Sequence, residues 1–199
     1  MMDQTKVTGL VLAGGRGQRM EGADKGWISF RGEPLVKHAL TILAPLTRCN
    51  LISANRNLEA YERLGHGVVR DGRSGFDGPL AGIEAALCVI KTPYLLTLPC
   101  DTPLMRTAVL QRLLDAATQT GSALCVATEG VVLHPVVLLI HQNLLSDLSL
   151  FLDSGERRVR DWLMRHHPER VDCGDHPECF ENANTLEDLL RLEHRSIAG

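Results

Sequence analysis

The sequence lacks the features that would place a protein in a membrane or on nucleic acid. No apolar run approaches the roughly 20 residues that a membrane-spanning helix requires, and residues 1–9 lack the apolar core of a secretory signal. The formal net charge is −3, so no overall positive charge attracts nucleic acid or an anionic membrane. These absences predict a cytoplasmic protein without a membrane or nucleic-acid partner.

Closely spaced cysteine pairs are also absent. None of the six cysteines forms a C-x-x-C pair, which removes support for a structural zinc or thioredoxin-like site. Most lie among apolar residues and are interpreted as small core residues. Cys173 and Cys179 flank His176 in a polar segment, where a metal site is the less favoured alternative. Cys100 has no histidine-containing partner motif that would make it a nucleophile.

A glycine-rich loop follows the first predicted strand. The apolar run at 7–12 predicts a buried strand, and Ala13-Gly14-Gly15 continues it. Consecutive glycines allow close approach of the backbone to a ligand, and their N–H groups can converge on an anion. Three cations, Arg16, Arg19 and Lys25, follow closely. Backbone amides and fixed positive charge together predict a site for a nucleotide triphosphate.

The loop matches neither of the two common phosphate-binding patterns. Lys25 is followed by Gly26, whereas the Walker pattern requires serine or threonine at that place. The dinucleotide pattern also fails, because Gly15-Arg16-Gly17 is followed by Gln18-Arg19-Met20. The loop therefore predicts a triphosphate site of another kind.

Strand-like and helix-like stretches alternate along a chain whose 199 residues suit one domain. Strands are predicted at 7–12, 50–54, 68–69, 94–98 and 123–127, and helices at 34–45, 58–64, 79–90, 104–118, 143–152, 157–166 and 185–194. This alternation predicts an α/β fold, a three-layer α/β/α sandwich around a mostly parallel sheet. The apolar run at 131–140 contains His134-Pro135 and predicts a hairpin or a strand at a sheet edge, since proline is poorly tolerated centrally.

Polar residues follow four of the predicted strands. The glycine loop follows the first strand, Ser53-Ala54-Asn55-Arg56 the second, Asp71 the third, and Asp101 the strand that begins at Tyr94. In open α/β sheets, ligands bind beyond the carboxyl ends of the strands. The four strand ends therefore predict one cleft.

Asp101 is the predicted metal ligand of this cleft. It lies between Pro99 and Pro103, which hold it over the edge of the sheet. Mg²⁺ commonly binds one or two carboxylates together with substrate phosphates. The alternative is that Asp101 caps the helix predicted to start near Leu104.

These motifs occur together, and in this order, in one family. The chain resembles molybdenum cofactor guanylyltransferases, nucleotidyltransferases with a Rossmann-like, glycosyltransferase-A-like fold. The matching segments are Leu12-Ala13-Gly14-Gly15 with Arg19, Asp24-Lys25-Gly26, Ala54-Asn55-Arg56, Asp71, Gly78-Pro79-Leu80-Ala81-Gly82, Pro99-Cys100-Asp101-Thr102-Pro103, His134-Pro135, Gly155-Glu156-Arg157-Arg158-Val159, and Phe180 with Asn182-Ala183-Asn184-Thr185. The resemblance spans nearly the whole chain.

The resemblance implies a Mg²⁺-dependent transfer of GMP from GTP to molybdopterin, with release of pyrophosphate. It implies catalytic roles for Arg19, Lys25 and Asp101, with Asp101 as the metal ligand. The implied GTP-binding residues are Leu12, Ala13, Gly14, Gly15, Lys25, Ser53, Asn55, Asp71, Gly78, Pro79, Leu80 and Asp101. Position 53 is serine where some relatives have asparagine, so Asn55 is the alternative partner for the base.

The second half of the chain is assigned to the acceptor. The resemblance implies a nucleotide-binding half at about 1–103 and a molybdopterin-binding half at about 104–199, with Arg157, Arg158, Asn182 and Asn184 on the molybdopterin side. Two adjacent guanidinium groups can grip a phosphate, and the alternative for Arg157 and Arg158 is a solvated helix face. Transient contacts with other cofactor-biosynthesis proteins or recipient apoenzymes are expected.

Three rival functions remain open at this point. The first two are nucleotidyltransferases, one that transfers CMP to molybdopterin and one that makes a sugar nucleotide. The third is a non-catalytic carrier of a nucleotide or cofactor. Substrate choice separates the first two, and absence of pyrophosphate release identifies the carrier.

Overall fold

A computed structural model describes residues 2–14, 24–73 and 78–195. The strands of this part of the chain are β1 Val7–Leu12, β2 Ser29–Phe30, β3 Glu33–Pro34, β4 Cys49–Ser53, β5 Gly67–Val69, β6 Tyr94–Pro99, β7 Leu124–Glu129, β8 Val132–His141 and β9 Glu169–Asp172. The α-helices are α1 Leu35–Leu43, α2 Leu58–Glu62, α3 Pro79–Val89, α4 Thr107–Thr120, α5 Leu145–Asp153, α6 Val159–Arg165 and α7 Leu186–Arg195.

The central sheet has the order β5-β4-β1-β6-β8-β7-β9. The first four of these strands are parallel neighbours, and β7 is parallel to β9. Only β8 among the paired strands of this sheet runs antiparallel to its neighbours, β6 and β7. The mostly parallel sheet confirms the predicted fold class.

Burial on both faces of the sheet explains why its strands are continuous apolar runs. All six residues of β1 are buried. Val7 and Val11 join one core with α1 and α4, whereas Leu10 and Leu12 join a second core with α3, α5 and α6. Side chains alternate between the two faces of a strand, so one strand supplies both cores. The result is the predicted three-layer sandwich.

The prediction of an edge strand at 131–140 is wrong, and the hairpin alternative is confirmed. Strand β8 lies inside the sheet, between β6 and β7, and pairs with β7 as a hairpin. Its pairing with β6 runs only from His141 to Leu138. The register with β7 shifts between Val126 and Thr128, opposite the stretch that contains Pro135. Proline is tolerated here because it occupies the irregularity, where no regular ladder bond is needed.

Short elements escaped the sequence analysis. The β2–β3 hairpin has two residues per strand, and β9 has four, lengths too short for a periodic signal. A capping box begins α7, where Asp188 N–H donates to Thr185 Oγ1 and Thr185 N–H donates to Asp188 Oδ2, both at 3.0 Å. None of the helices in the described part of the chain is both long and apolar enough to cross a membrane.

Candidate active site

The carboxyl ends of four adjacent parallel strands form the candidate site. Because β5, β4, β1 and β6 are parallel neighbours, the residues that follow them meet at one edge of the sheet. Asp71 follows β5, Ser53 ends β4, Leu12 ends β1, and Asp101 follows β6. Backbone bonds hold the strand ends together: Ala13 N–H donates to Ser53 O at 3.0 Å, and Cys100 N–H donates to Leu12 O at 3.1 Å.

Lys25 and Asp101 meet across this edge. Lys25 Nζ lies 2.6 Å from Asp101 Oδ2, and both side chains are about one-fifth exposed. The same Nζ donates to Asn184 Oδ1, also at 2.6 Å. A side chain from the first quarter of the chain thus joins the end of β6 to a segment near the C-terminus.

The segment 182–184 is held against Asp101 by its backbone. Ala183, which is fully buried, donates its N–H to Asp101 O at 2.8 Å. Asn182 and Asn184 on either side of it are exposed. The sequence analysis assigned Asn182 and Asn184 to the acceptor side. In the structure, their segment lies against Asp101, the predicted metal ligand.

Asp101 does not cap a helix. Helix α4 begins at Thr107 with Arg106 at its N-cap, six residues beyond Asp101. The intervening turn is held instead by Thr102, whose hydroxyl donates to Pro99 O at 3.1 Å and whose carbonyl accepts from Met105 N–H at 3.1 Å. The capping alternative for Asp101 is therefore wrong, and its carboxylate is directed to Lys25.

Asn55 is fully engaged with Asp71. Asn55 Nδ2 donates to Asp71 Oδ2 at 2.7 Å, and Asn55 Oδ1 accepts from Asp71 N–H at 3.1 Å. The amide group therefore fixes Asp71 from two sides. Gly14 lies close to this pair, since a Cβ added to it would stand 3.8 Å from Asn55 Nδ2.

Helix α3 approaches the end of β4 closely. A Cβ on Gly82 would lie 2.2 Å from Ser53 Oγ, so only glycine allows this approach. Ser53 is buried, whereas Gly78, ahead of the helix, is exposed and has a φ of 72° that favours glycine. Pro79 and Leu80 open α3, and Leu80 is fully buried in the core. The helix therefore brings its N-terminal residues to the strand edge.

A short turn carries Lys25. Asp24 caps the 3₁₀ helix Lys25–Trp27, accepting from Gly26 N–H at 3.3 Å. Its carboxylate also accepts from Tyr61 Oη at 2.5 Å and from Asn57 Nδ2 at 3.0 Å. Sequence reasoning selected neither Tyr61 nor Asn57.

The predicted acceptor arginines lie at the junction of α5 and α6, helices that share one face of the sheet with α3. Arg157 Nη1 donates to Leu152 O and Glu156 O, both at 2.7 Å, which closes the C-terminal end of α5. Hydrogen bonds from Arg73 hold the pKa of Glu84 below its ordinary value, and the charge of Arg157 adds to this effect. Arg158 is exposed at the N-cap of α6.

Two residues near the strand ends are unsuited to nucleophilic or acid–base roles. Cys100 is buried, and burial strongly raises the pKa of its thiol, so the unreactive neutral form prevails. His134 stacks on Phe180 with ring centroids 3.8 Å apart. Burial lowers the pKa of His134 despite Glu129, whose Oε2 lies 3.6 Å from Nε2, beyond hydrogen-bond distance.

Gly15, Arg16 and Arg19 lie outside the described residues. The structure places the ammonium group of Lys25 at the cleft, against Asp101.

The donor set at the cleft fits a cation that arrives with a ligand. Among residues 2–14, 24–73 and 78–195, no group of three or more histidine, cysteine or carboxylate side chains is arranged to hold a metal ion. Asp101 instead offers one partly exposed carboxylate at a strand end. Mg²⁺ is usually bound by one or two carboxylates together with substrate phosphates, so Asp101 suits that mode of binding.

Comparison with known proteins identifies the family. The model of the MobA-like NTP transferase domain matches residues 9–171. A molybdenum cofactor guanylyltransferase from Acidovorax ebreus is 43% identical over 206 residues, covering 97% of this chain and 98% of that protein. One from Shewanella loihica is 40% identical over 187 residues, covering 94% and 95%.

Solved structures share the fold. Molybdopterin-guanine dinucleotide biosynthesis protein A from Archaeoglobus fulgidus superposes with a TM-score of 0.79 at 22% identity, over 96% of this chain and 100% of that one. A Mycobacterium tuberculosis protein solved in complex with manganese superposes with a TM-score of 0.69 at 17% identity, over 96% and 99%. Together with the family match and the close relatives, this fold shows that the chain belongs to the MobA-like NTP transferase family and is a nucleotidyltransferase.

Proposed function

We propose that this nucleotidyltransferase transfers GMP from GTP to molybdopterin and releases pyrophosphate. The observation that carries the proposal is the meeting of Lys25, Asp101 and Asn184, with Lys25 Nζ 2.6 Å from an oxygen of each partner. Lys25 and Asp101 belong to the nucleotide-binding half at about 1–103, and Asn184 to the acceptor half at about 104–199. Two substrates bound by the two halves would meet at this point.

The nucleotide is proposed to lie along the ends of β4, β1 and β5. Leu12, Ala13 and Gly14 would form a floor for the base. The engagement of both Asn55 amide atoms with Asp71 supports Asp71 as the group presented to the nucleotide, with Asn55 holding it. Ser53 beside Gly82 would face the base or ribose. Gly78, Pro79 and Leu80 would border the same site, and Gly15 would contribute its backbone N–H group.

The chemistry needs no protein nucleophile and no general base. An oxygen of the acceptor phosphate monoester, already anionic near neutral pH, attacks the α-phosphorus of GTP. The bond from that phosphorus to the bridging oxygen breaks, and pyrophosphate leaves with the electron pair. Such transfers are catalysed chiefly by positioning and electrostatic stabilisation. Cys100, whose pKa is raised, and His134, whose pKa is lowered, are accordingly given no role as nucleophile or general base.

The protein's main task is to offset negative charge. Asp101 would hold Mg²⁺, which supplies charge withdrawal from phosphate oxygens when bound. Lys25 and Arg19 would stabilise the departing pyrophosphate. The short contact between Lys25 and Asp101 keeps the ammonium group at the strand end before the nucleotide arrives.

The acceptor is proposed to bind beside the segment 182–184, with the arginines that precede α6 as the proposed partners of its phosphate. Asn182 and Asn184 are exposed beside Asp101 and offer amide hydrogen bonds to the pterin. Arg158 is exposed and can pair with the acceptor phosphate. Arg157 would do so while it retains its backbone partners at the end of α5. We further propose a cytoplasmic enzyme that meets other cofactor-biosynthesis proteins or recipient apoenzymes transiently.

Pyrophosphate release tests the proposed reaction. The purified chain with Mg²⁺, GTP and molybdopterin should release pyrophosphate and yield the guanine dinucleotide, and omission of any of the three should stop release. Faster release with CTP than with GTP would replace the proposal by cytidylyl transfer. Release that requires a sugar phosphate would make the enzyme a sugar-nucleotide synthase. GTP binding without release under all these conditions would indicate a carrier.

A further inference from the structure

The carboxylate of Asp24 is the fixed point of the turn that presents Lys25. Its Oδ1 accepts from Tyr61 Oη at 2.5 Å and from Gly26 N–H at 3.3 Å, and its Oδ2 accepts from Asn57 Nδ2 at 3.0 Å. Two of these three donors come from the N-cap and the body of α2, more than thirty residues along the chain. The turn is therefore attached to a separate element of the fold.

Tyr61 supplies this attachment from inside the core. Its side chain is completely buried, and its ring lies 5.2 Å from that of Trp27 at the end of the same turn. Burial, reinforced by Asp24, raises the pKa of Tyr61 above its ordinary value, so the hydroxyl remains a donor. A buried ring has little freedom to move, so the position of its hydroxyl is fixed by packing.

The backbone of the turn also rests on the Tyr61 hydroxyl. A Cβ on Gly26 would lie 2.3 Å from Tyr61 Oη, so the glycine backbone is in close contact with it. Gly26 follows Lys25 directly, and Trp27 N–H donates to Asp24 O at 3.0 Å to close the turn. The Tyr61 hydroxyl therefore fixes both how closely the backbone of the turn approaches α2 and how the capping carboxylate of Asp24 is oriented.

We propose that Tyr61 is a positioning residue for Lys25 in the transfer reaction, acting through Asp24 and Gly26. The inference rests on the proposed function, in which Lys25 stabilises the departing pyrophosphate. The side chain of lysine is long and flexible. The position of the Lys25 Cα and the direction of its Cα–Cβ bond therefore set the region within which the ammonium group can be held. A shift of about 1 Å at a positioned group can cost about 100-fold in rate.

Tyr61→Phe tests the proposal, because it removes only the hydroxyl and keeps the packed ring. We expect kcat for pyrophosphate release to fall about tenfold, since the turn loses one of several supports rather than all of them. KM for GTP should change less, because the floor for the base is untouched. Tyr94 is the other of the two tyrosines in the chain and begins β6, at the opposite end from Asp101. Tyr94→Phe should leave kcat unchanged.

A double-mutant cycle separates positioning from general destabilisation. If Tyr61 acts through Lys25, adding Tyr61→Phe to Lys25→Ala should cause no further loss of kcat. Multiplied losses would mean that the hydroxyl acts by another route, which would overturn the proposal. Equal kcat for Tyr61→Phe and the unchanged chain would overturn it as well.

Hydrogen exchange supplies a readout that does not depend on catalysis. In Tyr61→Phe, the amides of Gly26, Trp27 and Ile28 should exchange faster, while those of the central strands keep their rates. Unchanged exchange at this turn would overturn the positioning role. If the unchanged chain releases no pyrophosphate with GTP and molybdopterin, the proposed function fails, and the exchange measurement still decides whether Tyr61 holds the turn.

Discussion

At the scale of single residues, the site depends on one lysine that contacts both a carboxylate and a side-chain amide oxygen. Lys25 neutralises Asp101 and donates to Asn184. Both members of the ion pair are about one-fifth exposed, and partly exposed pairs of this kind contribute only about 1 kcal/mol or less. Such a pair orders the lysine at small energetic cost and can be exchanged for contacts with a phosphate.

Asp101→Asn tests the proposed metal ligand. The amide keeps the size of the side chain but removes the charge that would hold Mg²⁺. Metal assistance is worth several kcal/mol, so transfer should fall by about 1,000-fold, with the fold retained by circular dichroism. Turnover near that of the unchanged chain would remove Asp101 from the metal site.

Lys25→Ala tests the proposed phosphate contact. Loss of the ammonium group removes charge stabilisation from the departing pyrophosphate, so kcat/KM for GTP should fall by about 100-fold or more. The matched control is Lys37→Ala, which breaks an exposed ion pair, 3.0 Å long, between Lys37 on α1 and Glu33 on β3. The control should keep its GTP kinetics. Unchanged kinetics in Lys25→Ala would exclude the lysine from the site.

At the scale of elements, the contact between α3 and β4 shapes the nucleotide side of the cleft. Gly82 is the point of closest approach, where the helix backbone faces Ser53, and Asp71 Oδ1 would lie 3.6 Å from an added Cβ. A glycine inside a helix costs about 1 kcal/mol relative to alanine. The approach of the helix to the strand end accounts for this otherwise unfavourable residue.

Gly82→Ala is expected to harm both stability and nucleotide binding. The gain in helix propensity, about 1 kcal/mol, is opposed by overpacking that costs about 1–3 kcal/mol, because the new Cβ would lie 2.2 Å from Ser53 Oγ. Thermal unfolding should therefore shift down by a few degrees, and KM for GTP should rise as Ser53 is displaced.

The control for this glycine substitution is Gly72→Ala. Gly72 has no atom within 4 Å of an added Cβ and no positive φ. Its replacement should leave the unfolding temperature unchanged or slightly raised, because alanine restricts the unfolded chain. If Gly82→Ala also leaves the unfolding temperature unchanged and does not raise KM for GTP, the close approach of α3 to β4 limits neither stability nor nucleotide binding.

At the scale of the whole molecule, the parallel half of the sheet could be predicted because its strands are doubly buried. The predicted strand at 7–12 matches β1, and those at 50–54 and 94–98 differ from β4 and β6 by about one residue at their ends. The interior position of β8 could not be predicted, because an apolar run does not specify its neighbours. The register shift that accommodates Pro135 depends on β7, a separate strand.

The site was predictable where its residues follow strands, and unpredictable where contacts cross the chain. Asp71 and Asp101 could be placed because parallel strands bring their ends together. The contact of Lys25 with Asn184 spans 159 residues, and local patterns carry no information on such pairs. Tyr61 lies in a short amphipathic stretch where an aromatic residue indicates core, so nothing marked its hydroxyl as a partner of Asp24.

Titratable groups whose pKa is lowered by the fold make the molecule sensitive to acid. Hydrogen bonds from Arg73 lower the pKa of Glu84, and those from Trp162 and His166 lower that of Asp147 against the opposing effect of burial. Burial lowers the pKa of His134. In each case the unfolded chain binds the proton more tightly than the folded one, so folding stability is fully present above the unfolded pKa and is lost as the pH falls through the folded pKa.

The order in which these three groups take up protons as the pH falls predicts how the free energy of unfolding depends on pH. The unfolded pKa is 6.5 for His134 but 4.5 for Glu84 and 3.8 for Asp147. The histidine should therefore dominate the decline in the free energy of unfolding between about pH 7.5 and about pH 5.5, measured by urea denaturation. His134→Phe, which keeps the ring stacked on Phe180, should flatten this decline, whereas replacement of the exposed His194 by Gln should preserve it.

An undiminished decline in His134→Phe would assign the effect to other groups. Below about pH 4.5 the carboxylates take over, and all three proteins should lose stability alike.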